Sequence, residues 1–102
     1  MPARGHPLKR LLSQARYRAK LRGQIFTVKF EDLDIPEFCP VFGLKLKHTL
    51  GRRKDTSFSI DRRDNAKGYT KENTRIISWR ANYMKGNLTV QEVKKLLEYM
   101  QE

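Results

Sequence analysis

A chain of 102 residues with 38% hydrophobic side chains holds one domain with a small core, and its ten aromatic residues argue against wholesale disorder. No apolar run reaches the roughly 18 to 20 residues that a membrane span needs. A single cysteine, Cys39, excludes an internal disulfide and a zinc finger or ribbon built mainly of thiolates. The net charge of +11, from 22 Lys and Arg against 11 Asp and Glu, draws polyanions, of which nucleic acid is the commonest.

In chain order, residues 7 to 22 are predicted as a helix. Leu8, Leu11, Leu12, Ala15 and Ala19 recur at helical spacing, Pro7 suits the first turn and Gly23 is a ready stop. Residues 1 to 23 carry seven basic side chains and no acid. Ordinary surface helices mix signs to gain i,i+4 pairs, so the helix bearing Arg10, Arg16, Arg18, Lys20 and Arg22 reads as phosphate-contacting rather than as a merely solvated face. The same stretch lacks the apolar region of a secretory signal, and its scarce serine argues against a mitochondrial presequence.

GQIFTVKF alternates as a half-buried strand or extended arm does. EDLDIPE holds four of the eleven acids but lacks the ligand spacing and glycine of a calcium loop, so a turn with a short helix is expected there. CPVFGLKLKH predicts a tight turn from Pro40 to Gly43 and then a short strand, and TLGRRKDTS a polar, basic, mobile loop. SFSID predicts a strand, DNAKGY a sharp turn, and TRIISW a strand running into a helix over RANYMKGN. The last helix is capped by Thr89 with Glu92 three residues on. Its apolar face is Val90, Val93, Leu96, Leu97 and Met100.

The stretch from 57 to 85 has the residue types that phosphodiester hydrolysis needs. A hard cation requires oxygen ligands, for which Asp61 at a strand end and the Asn82 amide, early on the following helix, are suited. Asn73 is placed to brace the returning loop through side chain to backbone bonds, and Arg62 and Arg63 offer forked donors to phosphate. Asp and Asn are also common in turns, and Asp61 paired only with an arginine is the bland alternative. Lys85, one turn beyond Asn82, reads as a phosphate contact, while Trp79 and Tyr69 read as core residues before base-stacking platforms.

SIDRRDNAKGYTKENTRIISWRANYMK resembles the HNH nucleases of the ββα-metal fold, especially small phage and bacterial members with S-x-D-R-x-D-N-x-K-G-Y followed by N-x-R-x-x-S-x-x-A-N-x-x-K. The likeness is specific over residues 57 to 85 and looser over LLSQARYRAK, EDLDIPEFCPVFGLKL and the final helix. It implies an α+β, ββα-metal (HNH-like) core with a basic N-terminal helix over 1–23, the ββα motif over 57–87 and a C-terminal helix over 89–102. It also implies one Mg²⁺ or Mn²⁺ held by Asp61 and Asn82, with Asn73 ordering the loop.

Two departures from the family matter. Arg62 stands where the general-base histidine normally follows the aspartate, and a guanidinium accepts no proton near neutrality. Asp64 and His48 are the alternative bases, with a metal-bound hydroxide or substrate assistance as further routes. Of the two C-x-x-C pairs that frame many HNH sites only Cys39 remains, with Phe42, Ser78 and Ala81 at the other places, so no structural zinc is expected. Apolar packing of Phe42, Ile77, Trp79 and the terminal helix is expected to replace it.

The resulting expectation is a cytoplasmic (for a phage protein, host-cytoplasmic) HNH-like endonuclease that nicks or cuts double-stranded DNA with little base readout. Catalytic candidates are Asp61, Arg62, Asp64, Asn73 and His48. Phosphate contacts are expected from Arg10, Arg16, Arg18, Lys20, Arg52, Arg53, Lys54, Arg63, Lys67, Arg80 and Lys85. A homodimer is an open option, since cutting both strands needs two sites or two events. The rivals are a DNA-binding module of the same fold that has lost hydrolysis, and an interaction protein whose basic surface meets an acidic partner.

Overall fold

Pro7 and Gly23 bracket the first helix, α1, which spans Pro7–Arg22. Pro7 has no N–H to leave unpaired in the first turn, and the His6 ring accepts from the Leu8 N–H at 3.1 Å. Gly23 closes the helix at φ 65°, its N–H returning to the Ala19 and Lys20 carbonyls. Leu8, Leu12, Ala15 and Ala19 are buried, so the helical period in the sequence is the face that packs. The structure, a computed structural model, describes residues 6–48 and 52–102, and residues 49–51 of the expected mobile loop lie outside it.

Residues 24 to 28 form the extended arm rather than a sheet strand. One bridge pairs Phe26 with Tyr69. Thr27 and Val28 both donate to the Tyr69 carbonyl, at 2.9 and 3.0 Å, and Tyr69 N–H donates to Ile25 O at 2.8 Å. Such close backbone approach requires Gly68, because a Cβ there would collide with the Ile25 carbonyl oxygen. A short 3-10 turn follows at Phe30–Asp32, where Asp32 accepts from the Lys29 N–H at 2.9 Å. The Pro40 to Gly43 turn closes with Gly43 at φ 73° and Cys39 N–H donating to Leu44 O at 2.7 Å. The strand expected after it is reduced to isolated bridges, Phe38 with Lys45 and Lys47 with Ser57.

Strands β1 (Phe58–Arg62) and β2 (Thr74–Ser78) form an antiparallel hairpin in which Ile60 faces Ile76 and Asp61 faces Arg75. Helix α2 (Trp79–Lys85) begins directly at the end of β2, with the Ser78 hydroxyl accepting from Ala81 N–H. Alternation along the strands divides the core into two layers. Ile60 and Ile76 pack with the α1 stripe, Val28 and Tyr69 on one face. Ile77 packs with Cys39 and Ala81 on the other. Among the described residues the result is an α+β fold of three α-helices and a two-stranded sheet.

Helix α3 (Val90–Met100) carries the capping box expected of it, with Thr89 Oγ1 accepting from Glu92 N–H and Glu92 returning the bond to Thr89 N–H. Its packing differs from expectation. It touches no other described helix or strand, and Val90, Val93, Leu96, Leu97 and Met100 are all exposed. Phe42 is exposed too, so the layer around Cys39 is closed by Ile77 and Ala81, with Leu44 and Leu46 at its edge. Neither the terminal helix nor Phe42 stands in for a zinc centre. Amphipathicity states that a face wants cover, not that the same chain provides it.

Candidate functional site

At the loop end of the hairpin, β1, α2 and the last turns of α1 enclose a cleft of about 480 Å³. Asp61 and Asn82, the pair expected from the sequence as ligands, both line it, together with Arg18 and Arg22 from α1 and Arg62 from β1. No histidine lines it among the described residues. Three arginines against one carboxylate give its lining an excess of basic side chains.

Asn82 is held in place by its amide nitrogen, which donates to Ser59 Oγ at 2.6 Å and to the Ile60 carbonyl at 3.2 Å. The Ile60 carbonyl, which can only accept, fixes which end of the carboxamide is nitrogen and leaves Oδ1 without a hydrogen bond from the described residues, as a ligand atom must be.

Asn73 organises the loop between the strands. Its Oδ1 accepts from Asp64 N–H at 2.9 Å, while its amide donates to Asp64 O at 3.1 Å and Gly68 O at 2.8 Å. Asn73 is buried and all its polar atoms are spent on backbone, so it acts on the site through the loop and touches nothing that could react. Arg62 adds to the same brace: its Nη1 donates to the Asn65 and Lys67 carbonyls at 3.1 and 3.2 Å, and its guanidinium stacks over Tyr69 at 5.2 Å.

Lys85 departs from the expectation that it meets phosphate. Its ammonium donates to Asp61 Oδ1 at 3.1 Å, to the Arg62 carbonyl at 2.7 Å and to Asn65 Oδ1 at 3.0 Å. Three donors are all an ammonium has, so none is left for DNA while this arrangement holds. Burial pushes the Asp61 carboxyl up from its ordinary pKa. The hydrogen bond and charge of Lys85 and the charge of Arg62 pull it back without cancelling that shift.

The other base candidates are placed elsewhere. Asp64 uses Oδ1 to accept from Ala66 N–H at 2.9 Å in a turn, and it does not line the cleft. His48 tilts against Phe58, ring centroids 5.9 Å apart. Phe58 begins β1 and Asp61 lies three residues further along, on the order of 10 Å at strand rise, so His48 belongs to the opposite end of the hairpin.

The basic residues likewise divide between two ends. Arg53 stacks 3.9 Å above Trp79 and Arg80 reaches Asp55 at 3.8 Å, near the start of α2 and far from the cleft. Arg52 and Lys54 are exposed beside them. Arg10 and Lys20 are exposed on α1, and Arg16 lies over Phe26 at 5.2 Å. Arg63 and Lys67 are exposed on the β1–β2 loop. Arg22, read from the sequence as part of the basic face of the first helix, lines the cleft one helical turn beyond Arg18, whereas Asn65 was missing from the sequence reading because its Asp-Asn context is too common in turns to single it out.

Cys39 is buried and its sulfur accepts from the Ser78 and Val41 N–H groups at 3.2 and 3.4 Å. Burial alone pushes the thiol up, but the bonds from Ser78, Phe42 and Val41 outweigh it and leave the pKa lowered. No protein-family model, curated protein or solved structure matches the chain significantly. No described helix is long and apolar enough to cross a membrane.

Proposed function

We propose that this chain is an HNH-like endonuclease of the ββα-metal type, which binds double-stranded DNA along the cleft and hydrolyses its phosphodiesters with one Mg²⁺ or Mn²⁺. The observation that carries the reading is the convergence of Asp61 and Asn82 on one cleft with Arg18, Arg22 and Arg62. The donor chemistry fits a hard cation: Asp61 offers a carboxylate, Asn82 a free amide oxygen, and Asn65 and the Arg62 carbonyl two further oxygens nearby. One carboxylate with neutral oxygens suits an ion that completes its shell with water and substrate phosphate. Such an ion, when bound, polarises the phosphate and stabilises the leaving alkoxide.

The chain's own residues do the rest. Arg18 and Arg22 orient the sugar-phosphate backbone against β1 from the α1 side, reading charge and shape rather than bases. Arg62 presents fixed positive charge where the phosphate gains negative charge in the transition state. Asn73 keeps the loop beneath the site in one conformation. With no histidine among the cleft-lining residues, the proton of the attacking water leaves to solvent or to a phosphate oxygen.

A second reading, a DNA-binding module of the same fold without turnover, draws support from the Lys85 ammonium already seated on Asp61. Supercoiled plasmid incubated with Mg²⁺, Mn²⁺ or EDTA separates the two. Hydrolysis predicts open circles with metal and none in EDTA or with Asp61→Ala. Retained binding without nicking under any metal leaves only the second reading.

A further inference from the structure

The residues that carry the three oxygens around Lys85 are held by bonds that do not involve its ammonium. Asp61 and Arg62 lie on β1 and are held by pairing with β2. Asn65 donates through its amide nitrogen to the Gly86 carbonyl at 3.0 Å, which turns its Oδ1 toward the ammonium. The peptide carrying Asn65 is itself tied down by Arg62 Nη1 at 3.1 Å and, one residue earlier, by Asn73 on both sides of Asp64. A carboxylate, a carboxamide oxygen and a backbone carbonyl converging on one point are the ligand types that hard dications select. At 2.7 to 3.1 Å they are set at ammonium distances, whereas Mg²⁺ binds such oxygens at about 2.0 to 2.1 Å.

We propose that Asp61 Oδ1, Asn65 Oδ1 and the Arg62 carbonyl form a cation seat whose resident is the Lys85 ammonium, and that a divalent ion enters only by displacing it. Two cations cannot share a pocket of this size around one carboxylate, because their repulsion outweighs what a second set of contacts returns. Displacement is sterically open. The Lys85 side chain is 31% exposed and flexible, whereas that of Asp61 is 8% exposed and fixed, so lysine leaves and the oxygens stay. Lys85 thus acts on any chemistry at the site as a positioning residue, through Asp61, and sets the metal concentration at which the seat fills.

The inference deepens the cation requirement of the proposed nuclease, and its test uses no cleavage. Mn²⁺ is titrated into the whole chain without DNA, by calorimetry, for the wild type, Lys85→Met and Lys85→Met combined with Asp61→Asn. The expected result is Mn²⁺ affinity at least tenfold higher for Lys85→Met than for the wild type, lost again in the double variant. Equal affinity in the wild type and Lys85→Met, or no binding by a folded Lys85→Met, overturns the proposal.

Should Lys85→Met fail to fold, the wild type decides it. Millimolar Mn²⁺ is then expected to broaden the Asn65 side-chain amide and Lys85 Cε resonances first, and first broadening elsewhere, or none, overturns the proposal. Tight Mn²⁺ binding by Lys85→Met without plasmid nicking retains the seat and rejects the nuclease.

Discussion

Asn73 holds Asp64 by both sides of its peptide unit, accepting from its N–H at 2.9 Å and donating to its carbonyl at 3.1 Å. The third bond, to Gly68 O at 2.8 Å, spans the rest of the turn, so one buried carboxamide replaces the ladder that the 11-residue connection between β1 and β2 lacks. Replacing it with alanine leaves the Asp64 N–H and the Gly68 carbonyl without their partner, while the Asp64 carbonyl keeps the Lys67 N–H at 3.1 Å. At about 1 kcal/mol or somewhat more each, Asn73→Ala is expected to cost roughly 2 to 3 kcal/mol. Thermal unfolding reads this as a fall of about 10 to 20 °C, and Asn73→Asp, which keeps one bond, falls in between.

Gly68 and Gly43 make a controlled pair. A Cβ at Gly68 meets the Ile25 carbonyl oxygen, whereas one at Gly43 meets nothing within 4 Å and suffers only the strain of φ 73°. Gly43→Ala is expected to cost about 1 to 2 kcal/mol. Gly68→Ala costs more and detaches the arm, which hydrogen exchange at Thr27 and Val28 reports, since both N–H groups depend on Tyr69 O.

The raised pKa of Asp61 fixes a sign. A carboxyl whose folded pKa exceeds its unfolded value stabilises the fold while protonated, and that contribution is lost as pH rises through the folded pKa. At pH 7 the ionised group therefore costs stability. Asp61→Asn is expected to melt higher than the wild type at pH 7, and the gap to close as pH falls toward about 4. A gap that is constant with pH contradicts the assignment.

Helix α3 makes no contact with another described helix or strand, and its apolar residues are exposed. Deleting residues 89–102 is expected to leave the melting temperature of the core unchanged within about 2 °C. A large fall would mean that its exposed apolar face is covered in solution.

The sequence patterns that proved legible are those with a local cause. The period of Leu8, Leu12, Ala15 and Ala19, the Thr89–Glu92 box and the alternation around Ile60 each mark an element whose hydrogen bonds are internal or adjacent. What was not legible depends on a partner distant in sequence. The arm at 24 to 28 alternates like a strand, yet its bridge is to Tyr69, over forty residues away, and not to a neighbouring strand. Lys85 lies one turn past Asn82, which places it on the cleft side of α2 but does not distinguish phosphate from Asp61 as its mate. The site itself was half legible: Asp61 and Asn82 line one cleft, while His48, the 52–54 loop and Arg80 belong to the other end of the hairpin.

That division makes the location of DNA the most direct test of the account. A short duplex is titrated into ¹⁵N-labelled protein in EDTA at about 100 mM salt, and backbone and arginine side-chain shifts are followed. The account predicts the largest changes at Arg18, Arg22, Arg62 and Asn82, with Arg18→Ala plus Arg22→Ala flattening the salt dependence of log affinity by about 2. Changes confined to Arg52, Arg53 and Arg80, with the cleft residues unmoved, would contradict it.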